Sequence, residues 1–162
     1  MNFLSAEEIN QTSPYQVTQV DELSVRFCTR NGVHYWVGFL RDIFILTENG
    51  YYLYLTNESE TKSEDPLVYK TVVAIIANFF SHSASDAMLY ICSPSDSRQA
   101  ARARLFEMWF NRTEEAKSFT LNTYSDLDDG IKYFYGIILR KDNPQHDTMI
   151  DIFLDFFSDT VS

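Results

Sequence analysis

Two Asn-Gly dipeptides, each flanked by strand-like apolar runs, constrain the fold of this chain more than any other feature. Asn31-Gly32 lies between the runs 23–30 and 33–40. The type I′ turn that suits Asn-Gly joins two antiparallel strands, so the sequence predicts a hairpin here. A two-residue turn places Phe27 and Trp36 on one face. It leaves a mixed outer face, which would suggest a dimer if exposed, formed by Val33, Tyr35, Val37 and Phe39.

The second dipeptide, Asn49-Gly50, separates the runs 43–48 and 51–56. By the same turn chemistry these runs predict a second hairpin. The region from 23 to 56 is therefore expected to form a four-stranded antiparallel meander.

The rest of the chain alternates helix and strand signals. Asp65-Pro66 and Asn143-Pro144 each supply an N-cap followed by a proline, and they predict helices from 65 to about 82 and after 143. A third helix is expected over 97–111. Further strands are expected over 88–92, 119–124 and 131–139. This order favours an α+β fold with a mainly antiparallel sheet and about three helices packed on one face.

Residues 1–20 are rich in Ser, Thr, Gln and Asn, without a sustained strand or helix period, and they predict an N-terminal arm. The remaining residues, 21–162, are expected to form a single α+β domain. The chain has 162 residues, of which 45% are hydrophobic, and this is enough for one domain to bury a core without cross-links.

The strongly acidic composition argues against general binding to nucleic acids or anionic membranes. There are 23 acidic and 13 basic residues, for a formal charge of −10, whereas a phosphate backbone needs a positive surface. The longest apolar stretch, 72–77, is far too short to span a membrane, and no secretory signal is visible. A cytoplasmic protein is expected. Cys28 and Cys92 are expected to be buried thiols, with neither a disulfide nor a metal.

Two arginines of the predicted helix over 97–111 lie on or beside its apolar face, where charged side chains are unusual. Arg102 lies near the centre of the apolar arc and Arg98 at its edge. Because a buried guanidinium needs a partner, internal pairing with Asp96, Asp142 or another carboxylate is favoured. Alternatively, both arginines bind a phosphate or carboxylate at the start of the helix. That candidate anion site comprises Ser95, Asp96, Ser97, Arg98, Gln99 and Arg102.

The last helix carries acidic residues at every fourth position. Asp147, Asp151, Asp155 and Asp159 form a ridge opposite the apolar face. A solvated helix surface is the simplest interpretation, and a basic partner would relieve the repulsion within the ridge. Among His34, His82 and His146 the sequence contains no metal-binding or nucleophile motif. No catalytic residue, metal or cofactor is therefore predicted.

The stretch 89–110 resembles the central segment of a family of small bacterial proteins of unknown function, chiefly from Bacteroidetes. The residues that match are Asp96, Arg98, Gln99, Arg102, Leu105, Phe106, Trp109 and Phe110. The likeness extends from 33 to 144, but Ser97 stands where the family has glycine. The resemblance implies no activity and no catalytic residues.

Two functions remain open. The first is a non-enzymatic, acidic interaction protein that engages a basic macromolecular partner, as antitoxin or immunity proteins do. The alternative is a protein or enzyme that binds a small anionic ligand at Arg98 and Arg102.

Overall fold

The structure is a computed structural model that describes residues 4–59, 65–92 and 99–160. The strands are β1 (Val17–Asp21), β2 (Ser24–Cys28), β3 (His34–Arg41), β4 (Gly50–Asn57), β5 (Ala87–Cys92), β6 (Phe119–Asp128) and β7 (Ile131–Arg140). The helices are α1 (Ala6–Ile9), α2 (Pro66–Ser81), α3 (Gln99–Arg112) and α4 (His146–Thr160), with a 3-10 helix at Glu115–Ser118. No helix in these ranges is long and apolar enough to cross a membrane.

The strands form one sheet in the order β1-β2-β3-β4-β5-β7-β6. β4 and β5 pair in parallel, whereas β1–β2, β2–β3, β5–β7 and β6–β7 pair antiparallel. The predicted α+β fold with a mainly antiparallel sheet is confirmed. The described residues contain one helix more than predicted, the short α1.

The chain divides into two compact units. The first comprises Met1–Leu40 and Leu53–Ala84, and the second comprises Arg41–Tyr52 and Ser85–Ser162. The prediction of a single domain over 21–162 stays a prediction.

In the first unit, the β2–β3 hairpin turns through three residues instead of the two predicted. The Thr29 amide donates to the Val33 carbonyl at 2.9 Å, and the buried Thr29 hydroxyl accepts from the Val33 amide at 3.1 Å. Gly32 has a φ of +79°, the left-handed conformation that closes such a loop. Thr29 therefore pairs with Val33 at the end of the hairpin, whereas the predicted two-residue turn would pair Arg30 with Val33.

This one-residue shift exchanges the two faces of β3 relative to β2. Phe27 lies opposite Tyr35, and their rings stack with centroids 5.3 Å apart. Phe39 packs against Phe79 of α2, with ring centroids 4.5 Å apart. The predicted outer stripe is in fact buried, and it gives no surface for a second copy: Val33, Tyr35, Val37 and Phe39.

α2 begins where the sequence predicts. The Asp65 side chain accepts a hydrogen bond from the Leu67 amide at 3.0 Å, and Pro66 fills a first-turn position whose amide would have no helical partner. One face of the helix is buried, including Val72, Ile76 and Phe80. Burial of this stripe against β3 confirms the predicted amphipathic helix.

The segment predicted as an arm is instead folded where it is described, and it contributes α1 and β1. Leu4, Ile9 and Val17 are buried. The Asn10 side chain donates to the Val17 carbonyl at 3.1 Å and accepts from the Val17 amide at 2.7 Å. A polar side chain of this segment, that of Asn10, therefore satisfies the backbone carbonyl and amide at the start of β1.

In the second unit, the residues predicted as the third strand of the meander form a loop. Asp42 is completely buried, and its carboxylate accepts from the backbone amides of Phe44, Ile45 and Leu46 at 2.9, 3.1 and 2.6 Å. Amides held by a side chain cannot pair with a neighbouring strand. The predicted strand over 43–48 is therefore wrong, and β3 runs directly into this loop.

Glycine is required at position 50 because a side chain there would crowd this loop, not because the residue lies in a hairpin turn. A Cβ at Gly50 would lie 2.8 Å from the Leu46 Cβ and 3.0 Å from the Asp42 Oδ2. The positive φ angles of the connection belong to Thr47 and Asn49. The Asn-Gly dipeptide thus marks the end of a loop and the first residue of β4.

We expect Tyr52 to make stability fall at alkaline pH. Burial, together with the charge of Asp42 and a hydrogen bond to it, raises the pKa of Tyr52 to about 12. The folded protein therefore keeps a proton that the unfolded chain loses above its ordinary pKa of about 10, so the free energy of unfolding decreases as pH rises between these values. Tyr52→Phe should flatten this decline while costing about 1.5 kcal/mol near neutral pH. Urea unfolding at several pH values measures both effects, and parallel curves for the two proteins would contradict the prediction.

The second unit packs two helices on its strands β5, β7 and β6. On one face, α4 contributes Met149, Phe153 and Phe157 to a core that includes Leu89 and Ile137. These three residues belong to the apolar face predicted for α4, whereas Phe156, predicted on the same face, is 36% exposed.

α3 lies on the other face of these strands. Phe106 of α3 contacts Tyr90, with ring centroids 4.8 Å apart. Phe157 of α4 contacts Tyr135 at 4.2 Å. Tyr90 pairs with Gly136, one residue after Tyr135, and successive strand residues point to opposite faces. The expectation that all helices pack on one face is therefore wrong for α3 and α4.

Candidate functional site

The acidic residues of α4 face outward because the opposite side of the helix is fixed by its core. The Asn143 side chain accepts from the Gln145 amide at 2.8 Å, but α4 begins at His146, two residues later than the Asn143-Pro144 pair predicts. Met149, Phe153 and Phe157 are buried. At about 100° per residue, this orientation exposes the acidic residues on the solvent side. Those whose side chains are described are exposed: Asp147, Asp151 and Asp155.

The acidic ridge, defined as Asp147, Asp151, Asp155 and Asp159, has little local compensation. α4 contains no Lys or Arg. Asp147 contacts the His146 Nδ1 at 2.8 Å with a side chain that is 96% exposed. In the described ranges, no Lys or Arg forms an ion pair with Asp151 or Asp155. The side chain of Asp159 lies outside the described residues.

An apolar border runs along one side of the ridge. Ile152 is 41% exposed and Phe156 is 36% exposed. On the helical wheel they lie between the acidic residues and the buried face. The solvent-facing surface of α4 therefore combines unneutralised carboxylates with accessible apolar area.

Asp142 does not contribute to this ridge, and it has a partner of its own. Its two oxygens accept from the Arg140 Nε and a terminal guanidinium nitrogen at 2.8 and 2.9 Å. These hydrogen bonds lower the pKa of Asp142 and raise the pKa of Arg140. Asp142 was one of the carboxylates expected to neutralise Arg98 or Arg102; among the described residues it pairs with Arg140, and the side chains of the two helix arginines are not described.

The candidate anion site falls largely outside the described part of the chain. Ser95, Asp96, Ser97 and Arg98 lie in the undescribed range 93–98, and the side chains of Gln99 and Arg102 are not described either. Gln99 is the first residue of α3. The site stays a prediction.

The three histidines each have a neighbour that the sequence did not suggest. The His82 Nε2 lies 3.0 Å from a Glu8 carboxylate oxygen, and the His146 Nε2 lies 2.8 Å from the Thr120 hydroxyl. His34 lies opposite Cys28, with its Nε2 3.7 Å from the thiol sulfur. The predicted hairpin register would have separated these two side chains. Cys28 is also exposed, contrary to the expectation of a buried thiol.

Metal-ligand geometry is not present in the described ranges. No group of three or more His, Cys, Asp or Glu side chains there is arranged to hold an ion. Asp147, Asp151 and Asp155 lie on one helix face, where their carboxylates do not converge. The described part of the ridge is a row of exposed carboxylates along one helix face.

Comparison with known proteins finds one family. The model of a family of unknown function, DUF6169, matches residues 64–155, which is more than half of the chain. The matched region includes α2, α3, β5, β6 and β7 and most of α4. No curated protein and no solved structure matches the chain.

Proposed function

The chain belongs to this family of unknown function, and from the surface of α4 we propose that it is a non-enzymatic protein that binds a basic macromolecular partner. The partner surface carries Lys or Arg interspersed with apolar side chains. A bacterial cytoplasm is the setting that we propose for this interaction. The observation that carries the proposal is the exposed ridge of α4 with its apolar border.

Charge supports a basic partner. The ridge places a carboxylate at every fourth position of α4, about one helical turn apart. Each carboxylate can meet a Lys or Arg across an interface, and the net charge of −10 attracts such a partner over longer distances. Because the ridge carboxylates are exposed, this attraction will weaken as salt is added.

The apolar border supports a protein partner. Charged rims set the rate and register of association, whereas buried apolar and aromatic side chains supply most of the affinity. Ile152 and Phe156 offer exposed apolar area for such a contact beside the ridge.

The ridge also has a cost for folding, which gives our next prediction. Asp151 and Asp155 repel each other at a spacing of four, and Asp155 lies toward the negative end of the helix dipole. We expect the double variant Asp151→Asn/Asp155→Asn to raise the free energy of unfolding by about 0.5 kcal/mol at low salt. Chemical unfolding at low and high salt measures this gain, which should shrink as salt screens the charges. A loss of stability would show that the carboxylates support the fold.

Partner binding is tested with matched charge variants. The ridge variant carries Asn at Asp147, Asp151 and Asp155. The control carries Gln at three exposed acids elsewhere, Glu7, Glu22 and Glu48, and has the same net charge. A partner captured by the wild-type protein is then purified, and its affinity for all three proteins is measured at two salt concentrations.

The proposal predicts that the wild type and the control bind the partner alike and that the ridge variant binds at least about tenfold more weakly, equivalent to 1.4 kcal/mol. Ile152→Gln should weaken binding without altering its salt dependence. Equal binding by the ridge variant and the control would show that only net charge matters, and this would contradict the proposed surface.

A further inference from the structure

The β2–β3 hairpin brings a nucleophile and a base together on its solvent side. Cys28 and His34 are a cross-strand pair, and both are exposed. The Cys28 sulfur lies 3.7 Å from the His34 Nε2, which is within hydrogen-bonding reach for sulfur. A thiol next to an imidazole is the basic arrangement of an activated cysteine.

The backbone around this pair is fixed. The His34 amide donates to the Ser59 hydroxyl at 2.9 Å, and the His34 carbonyl accepts from the Glu58 amide at 2.8 Å. The segment after β4 therefore holds His34 from the side opposite β2. The thiol also lies 3.4 Å from the Thr29 carbonyl, which supplies a second acceptor for its proton.

Two charged groups near this pair, Arg26 and Glu58, are paired with each other. Arg26, two residues before Cys28 on the same face of β2, forms a two-point ion pair with Glu58 at 3.0 and 2.8 Å. Its guanidinium lies over the Trp36 ring at 5.6 Å. Among the described side chains around the thiol, His34 is therefore the group placed to take up its proton.

We propose that Cys28 is a site of reversible S-thiolation by small-molecule disulfides, with His34 as the base. The His34 Nε2 takes the proton of the Cys28 thiol as the sulfur attacks one sulfur of the disulfide. A new S–S bond forms at Cys28 and the S–S bond of the reagent breaks. The leaving thiolate then takes the proton from His34, so that one disulfide and one thiol are consumed and one of each is formed. The exposed position on the sheet admits such a reagent without any opening of the fold.

The test uses the native protein with 2-hydroxyethyl disulfide, which is uncharged and therefore insensitive to surface charge. Intact mass spectrometry follows the adduct, peptide mapping locates it, and Cys28→Ser confirms the assignment. We expect His34→Asn to slow modification roughly tenfold, less than the effect of a base in an enclosed site. The matched control is His82→Asn, which removes a histidine paired with Glu8 and should react at the wild-type rate. A reducing thiol should reverse the adduct.

Unfolded protein provides the reference state. In urea, wild type and His34→Asn should react at the same rate, because the imidazole no longer lies beside the thiol. Equal rates for wild type and His34→Asn in the native state would overturn the proposal. So would an adduct confined to Cys92, or modification of Cys28 only after unfolding.

Discussion

Replacing Asp42 with alanine is expected to lower the free energy of unfolding by about 4 kcal/mol. The Asp42 carboxylate is completely buried and accepts from three consecutive backbone amides. The variant leaves these amides and the Tyr52 hydroxyl without their acceptor. The bond to Leu46 is buried and those to Phe44 and Ile45 are partly buried. A donor left unsatisfied away from water costs about 1–3 kcal/mol, so the loop should open before the rest of the second unit unfolds.

Two variants calibrate this result. Asp42→Asn keeps one acceptor oxygen and should lose roughly half as much, because its amide group faces a backbone donor. Asp21→Ala removes a comparable side-chain bond to the Leu23 amide at 2.8 Å, but at an exposed site, and it should cost about 0.5 kcal/mol. Urea unfolding followed by circular dichroism compares all three. If Asp42→Ala cost no more than Asp21→Ala, the carboxylate would not be what holds this loop.

Adding a methyl group at Gly136 is the second change with a large expected effect. A Cβ at Gly136 would lie 2.1, 2.2 and 2.6 Å from the Tyr90 Cε1, Cζ and hydroxyl oxygen. Tyr90 is only 7% exposed, and its ring packs against Phe106. Because the ring cannot move away freely, Gly136→Ala should destabilise the protein by about 3 kcal/mol.

A double-mutant cycle separates this clash from other effects of the substitution. Tyr90→Ala removes the ring, so adding Gly136→Ala in that background should cost much less, with a coupling of about 2 kcal/mol. Tyr90→Phe keeps the clashing ring atoms and should give little relief. Additive costs in the Tyr90→Ala background would mean that the ring does not require glycine at 136.

Local sequence signals predicted where the helices and the first hairpin occur. The pairing register of the hairpin strands depended on contacts that a local sequence pattern does not predict. Asp65-Pro66 fixed the start of α2 because the cap bonds within its own turn. Asn31-Gly32 indicated a hairpin but not its register, because the loop closes through Thr29. The apolar run 43–48 suggested a strand, but the buried Asp42 takes up its amides. Asp42, a carboxylate beside this apolar run, was the sequence feature that could have indicated a loop.

The same distinction applies to the candidate sites. The ridge could be predicted because a spacing of four is a property of one helix, and α4 presents the described members to solvent. The exposure of Phe156 depends on how α4 packs, so the apolar border was not predicted. The Cys28–His34 pair requires the correct register of β2 and β3, which the sequence missed by one residue.

The central claim is that the carboxylates of α4 serve a partner and not the fold. Its most direct measurement is the free energy of unfolding and the partner affinity of the same variant, Asp151→Asn/Asp155→Asn. We predict that stability rises by about 0.5 kcal/mol while binding to the basic partner weakens several-fold. A less stable protein with unchanged partner affinity would contradict the claim and would assign these residues to the fold.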